Sequence, residues 1–85
     1  MATAEHLVDA WTPEIAERAA AALGIWLGPT HWQLIGCARE LWASRGRMPE
    51  LRTLARTTGL SLEAIERLFP DPERSLSRVA GTREP

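Results

Sequence analysis

The chain has no tyrosine and no lysine, one phenylalanine, two histidines and a single cysteine among its 85 residues. One cysteine excludes a framework of internal disulfides, and one cysteine with two scattered histidines excludes an ordinary structural zinc site. Paired carboxylates, a nucleophile beside a base, a phosphate-cradling loop and a cofactor motif are all missing, so the residues offer no reaction to assign and no cofactor to expect. No apolar run approaches the ~20 residues that a membrane span needs. The start of the chain lacks the basic-then-apolar pattern of a secretory leader. A cytoplasmic protein with no membrane partner is expected, a binding module sooner than an enzyme.

What is present is the material of a small globule. The apolar share of 45% is that of ordinary folded domains, which argues against intrinsic disorder. A chain this short makes one domain at most, here 1–85, and buries only about 60–65% of its unfolded surface. The net charge of −1 gives no global attraction to nucleic acid. Its distribution is uneven: residues 1–40 hold two arginines against five acids, and 41–85 hold eight arginines against six acids. Arginine suits two-pronged contacts with carboxylates or phosphates, although genome composition produces the same bias.

Punctuation residues predict five helices, at roughly 13–23, 30–45, 49–58, 61–69 and 72–80. Thr12-Pro13-Glu14 supplies a capping hydroxyl, a proline at the first helical position and an acid near the positive helix end. Ile15, Ala16, Ala19, Ala20 and Leu23 then share one face. Pro29-Thr30 opens a second helix of about four turns, with Trp32, Leu34, Ile35, Ala38, Leu41 and Trp42 at helical spacing. Leu51, Leu54 and Ala55 point inward on the third, and Leu62, Ile65, Leu68 and Phe69 on the fourth, which Pro70 stops. Asp71-Pro72-Glu73 opens the last, carrying Leu76, Val79 and Ala80. No segment alternates long enough to be a strand; His6 to Val8 could be extended but has no partner. The fold class is all-α, a small orthogonal bundle.

In order and spacing these motifs resemble the DsrC/TusE sulfur-carrier family. The resemblance runs from Leu7-Val8-Asp9, Trp11 and Glu14-Ile15-Ala16 through Gly24-Ile25, Leu27 and Thr30-His31-Trp32. It continues in Ile35, Arg39, Gly46, Pro49, Leu51-Arg52 and Leu54, and closes on Leu68-Phe69-Pro70 and Val79-Ala80-Gly81. It implies sulfite-reductase-type or sulfur-relay partners. Three departures qualify it. The family's N-terminal β-hairpin is expected to be truncated or absent. The family's sulfur-bearing cysteine lies beyond the Ala-Gly, where this sequence reads Thr82-Arg83-Glu84-Pro85. Redox-active members carry a second cysteine four positions before that glycine, and here the position is Ser77. A hydroxyl lacks the accessible anion that lets a thiolate hold sulfur. Cys37 corresponds to neither family cysteine, and its place in the second helix favours a small buried apolar role over a redox one. A cysteine-less sulfur-relay relative acting as a non-catalytic protein-binding or regulatory module is the expectation.

Three other features bear on function. Arg74, Arg78 and Arg83 gather at the end where the family's sulfur arm would emerge. Arg74 and Arg78 share a helix face, which is either a solvated surface or a basic docking patch. Ala55, Gly59 and Ile65 match helix-turn-helix spacing: a small residue for close approach, a glycine for positive φ, a branched residue to plug the gap. A small DNA-binding regulator is therefore the alternative, with Arg52, Arg56, Ser61 and Arg67 as candidate contacts, and Arg45 and Arg47 on the flank. Glu63 and Glu66 on the same outward surface oppose phosphates. Of four tryptophans, Trp32 and Trp42 are expected in the core, whereas Trp11 and Trp26 lie off the helical stripes and an exposed one would suit an interface. His31 is expected to pack or hydrogen-bond, not to catalyse. Oligomeric state is not legible.

Overall fold

The computed structural model describes residues 10–82, which form five helices and, among the described residues, no strand. They are α1 (Pro13–Ala22), α2 (Pro29–Arg45), α3 (Leu51–Thr58), α4 (Leu62–Leu68) and α5 (Pro72–Ala80). His6 to Val8 and Arg83 lie outside the described residues. Among the described residues no helix is long and apolar enough to cross a membrane.

Three of the five helices begin on a side-chain capping hydrogen bond, whereas the N-cap side chains of α3 and α5, Glu50 and Asp71, make none. Thr12 is extended, and its Oγ1 accepts the Ile15 N–H at 3.2 Å. Ser61 does the same for α4, accepting from Ala64 N–H at 3.0 Å. α2 is capped from the other direction: His31, in its first turn, accepts the Gly28 N–H on Nδ1 at 3.1 Å. α3 starts two residues later than Pro49 suggests. Pro49 is buried in the connection, and extended Glu50 is the N-cap. At the far end of α1 the Ile25 N–H folds back to the Ala20 carbonyl at 2.8 Å, which also accepts the Leu23 N–H at 3.0 Å.

α2 is the central element, with α3 and α5 against it, α1 packed on α5, and α4 on α3. Leu34, Ile35, Leu54, Ile65, Phe69, Leu76 and Val79 are fully buried, tied together by Ala16, Ala20, Ala38 and Ala80. Ser75 is also buried, with no hydrogen-bond partner for its hydroxyl. Alanine at four contact points lets backbones approach closely, so a short chain builds a dense centre from few large side chains.

The same economy rotates some faces away from the sequence expectation. α1 buries Ala16 and Ala20 against α5, leaving Ile15 and Leu23 at 40% and 38% exposure. On α4, Ile65 and Phe69 fill the core and Leu62 stays 48% exposed. Trp32 is half-buried against the core, and Trp42 is half-buried with its ring centre 5.6 Å from the Arg39 guanidinium carbon. An indole is large and so is seldom enclosed completely.

Candidate functional site

The end of α5 is tied by side chains from two distant elements. Trp11, just ahead of α1, donates its Nε1–H to the Val79 carbonyl at 2.9 Å. Arg39, on α2, donates from Nη1 to the Ala80 carbonyl at 2.7 Å. Its guanidinium carbon lies 4.0 Å from the centre of the Trp11 ring and 5.6 Å from that of Trp42. Both are within cation–π range. Two carbonyls that the helix cannot satisfy itself thus receive donors from two other elements.

Gly81 closes this clamp. Its φ is +67°, and a Cβ there would lie 2.6 Å from Trp11 Cδ1 and 3.3 Å from Arg39 Nη1. Both the backbone conformation and the space require glycine. The next residue is anchored as well. Thr82 is buried, its N–H reaches back to the Ser77 carbonyl at 3.2 Å, and its Oγ1 donates to Met48 Sδ at 2.8 Å. Ser77 in turn donates its hydroxyl to the Thr82 carbonyl at 3.2 Å. Residues 77–82 therefore form a short closed circuit of hydroxyls and backbone, held by Trp11, Arg39 and Met48.

A family model for DsrC-like proteins matches residues 3–85. The chain belongs to the DsrC-like family. Membership supports a sulfur-relay-related role and gives the clamp a meaning within that family: Val79-Ala80-Gly81 is the closing motif of the resemblance, and Trp11 and Arg39 are among its earlier signatures. No curated protein and no solved structure matches the chain.

In this DsrC-like chain the sequence holds one thiol, on Cys37. It is half-buried on α2. Burial pushes its pKa above the ordinary thiol value, the Glu40 carboxylate pushes the same way, and a hydrogen bond with Thr57 on α3 opposes them. The charge that shifts it is an anion, the reverse of the cationic setting that activates a thiolate. Among the described residues no cluster of histidine, cysteine or carboxylate is arranged to hold a metal ion.

Arg74 and Arg78 are exposed on α5, and Arg83 lies outside the described residues. On the helix pair, Arg52, Arg56, Ser61 and Arg67 are all exposed. The Ser61 hydroxyl oxygen is already engaged as the α4 cap. Gly59 turns α3 into α4 with φ of +80°. His31 is pinned on both ring nitrogens: Nδ1 accepts from Gly28, so the proton sits on Nε2, which faces the Leu68 carbonyl at 3.1 Å. Its ring meets Phe69 edge-on at 5.2 Å. It is a structural rivet between α2 and the end of α4.

Sequence reasoning did not bring Arg39 and Trp11 together as a contacting pair. The available signal was faint: Arg39 stands three residues before Trp42 on one helix face, immediately after a run of 20 residues, 19–38, without aspartate, glutamate, lysine or arginine.

Proposed function

We propose that residues 1–85 act as one DsrC-like unit that takes part in sulfur relay by docking, not by carrying sulfur on a thiol of its own. The observation behind this reading is the circuit at the end of α5. Ser77, four residues before Gly81, commits its hydroxyl to the Thr82 carbonyl, and a hydroxyl at neutral pH is neither a nucleophile toward persulfide nor a holder of one. Cys37 is a poor substitute, because burial and Glu40 both disfavour its thiolate.

On this reading the clamped body is gripped by sulfite-reductase-type or sulfur-relay proteins. Exposed Arg74 and Arg78 would meet an acidic surface, with Arg83 adding to the same charge. A body that occupies the dock without presenting a thiol would compete with a thiol-bearing carrier, which is a regulatory action. The test is a persulfide-transfer assay on the purified chain read by intact mass. No added sulfur is expected; sulfur loading that disappears in Cys37→Ala would overturn the non-carrier reading. Binding to a purified sulfite-reductase-type protein should fall several-fold in Arg74→Glu/Arg78→Glu and with added salt.

A second reading, DNA binding through α3 and α4, is favoured by the glycine turn and by exposed Arg52, Arg56 and Arg67. It is opposed by Glu63 and Glu66, exposed on the same seven-residue α4. Fluorescence anisotropy with duplex DNA from the chain's own promoter region, at low and high salt, separates the two. Salt-dependent binding lost in Arg56→Ala/Arg67→Ala would favour DNA; absence of binding favours docking.

A further inference from the structure

We propose that His31 is a one-sided proton switch: protonation releases the cap at the start of α2 and leaves the joint between α2 and α4 intact. The switch is independent of the docking reading, since it rests on the two bonds of one ring.

Those bonds make opposite demands. Nδ1 accepts the Gly28 N–H at 3.1 Å, and Nε2 faces the Leu68 carbonyl at 3.1 Å. Only the neutral ring with its proton on Nε2 satisfies both, because Gly28 offers a donor and Leu68 an acceptor. Imidazolium carries an N–H on each nitrogen. Either nitrogen then meets Gly28 donor to donor, so neither a ring flip nor a change of tautomer restores the cap. The Leu68 contact survives and becomes charge-assisted. Histidine is the side chain whose ordinary titration falls between about pH 5 and 8, which makes it the residue type for such a device.

The surroundings set the direction of movement. The ring sits in the first turn of α2, whose free N–H groups repel an added positive charge. It also lies beside the last carbonyl of α4, which attracts that charge. Its edge rests on buried Phe69, with ring centres 5.2 Å apart. Residues 23–30 carry no charged side chain, and Glu63, Glu66, Arg67 and Asp71, on and after α4, are exposed. The first charge on α2 after His31 is Arg39, which is bonded to the Ala80 carbonyl. Among the described residues the ring makes no ion pair.

Loss of the cap frees one end of the connection between α1 and α2. The other end is held by the Ile25 N–H on the Ala20 carbonyl at 2.8 Å, a backbone bond with no titrating group. The connection therefore opens at Leu27 and Gly28. The bundle stays closed, because its buried residues, among those described, include no acid, base or thiol.

The test is nuclear magnetic resonance on the ¹⁵N-labelled full chain, from about pH 8 to about pH 5. At the upper end the ring is expected as the Nε2–H tautomer. With falling pH the Gly28 amide should lose about fivefold or more of its protection factor, in step with the His31 ring signals. Protection within α4 and the ring contact with Phe69 should persist. Glutamine at this third helical position accepts the same N–H through a side chain that does not titrate. His31→Gln should therefore keep Gly28 protected across the range, and His6→Gln, at the other histidine, should leave the response in place. An Nδ1–H tautomer, a Gly28 amide that ignores pH, or a response that persists in His31→Gln overturns the proposal. Loss of protection in all five helices together would be acid unfolding, and would sink the switch as well.

Discussion

Two tryptophans bracket α1, and the structure puts them to opposite uses. Trp11 is drawn in: its N–H is on the Val79 carbonyl, its face is under Arg39, and Gly81 is pressed against its edge. Trp26, beyond the other end of a ten-residue helix about 15 Å long, stands 90% exposed. The difference lies in what each loop can reach. Trp11 faces the end of α5, where unsatisfied carbonyls want donors. Trp26 follows a turn already closed by the chain's own backbone and by His31, so no buried polar group calls for it. One end of the molecule spends its aromatic residue on fixing α5, and the other leaves it outside.

Substitutions at the two ends should separate them sharply. Gly81→Ala is expected to have the largest effect, because the new methyl group must displace Trp11 while α5 keeps a left-handed residue. The loss is roughly 3–4 kcal/mol, a fall in melting temperature on the order of 12–32 °C by circular dichroism. A shift of only a degree or two would mean that Trp11 is not seated as described.

Next comes the tryptophan pair itself. Trp11→Ala should cost roughly 2–3 kcal/mol through lost packing, stacking and a hydrogen bond, whereas Trp26→Ala should stay within about 0.5 kcal/mol. Equal effects in urea unfolding would erase the contrast. Arg39→Lys keeps the charge but loses the planar stack and the fixed fork, for a loss of roughly 1–2 kcal/mol. His31→Phe tests the loop end. It retains the contact with Phe69 and removes both hydrogen bonds, with an expected loss of about 1 kcal/mol and faster hydrogen exchange at the Gly28 amide.

The smallest effect concerns chemistry, not folding. Cys37 has its pKa raised by burial and by Glu40, so less of it is thiolate at neutral pH than in a free thiol. Alkylation by iodoacetamide should be slower than for a small thiol at pH 7, and its rate should go on climbing past the pH where the free thiol has levelled off. Glu40→Gln removes a like charge and should raise the neutral-pH rate. A Cys37 that reacts faster than the free thiol would reopen the question of sulfur carriage.

Much of the secondary structure was legible because helix ends advertise themselves. Thr12-Pro13 and Ser61 are caps whose hydroxyls bond amides three residues away, and such contacts need no distant partner. The inward face of α5 was readable for a similar reason: Leu76, Val79 and Ala80 are the apolar residues of a short helix, and all three are buried. α1 and α4 were less transparent. Periodicity marks an apolar stripe but does not say which part of it meets a neighbour, so Ile15, Leu23 and Leu62 were expected inside and sit at the edge.

By itself, the sequence determined the helical class, the family signature and the scarcity of thiols, all of which depend on residue identity and short spacing. The tertiary structure decided the site. Trp11 meets Val79 across 68 positions of chain and Arg39 meets Ala80 across 41, and no local pattern encodes such meetings. They arise because α1 and α2 both pack on α5, which brings donors from two distant segments to carbonyls that a helix end leaves open.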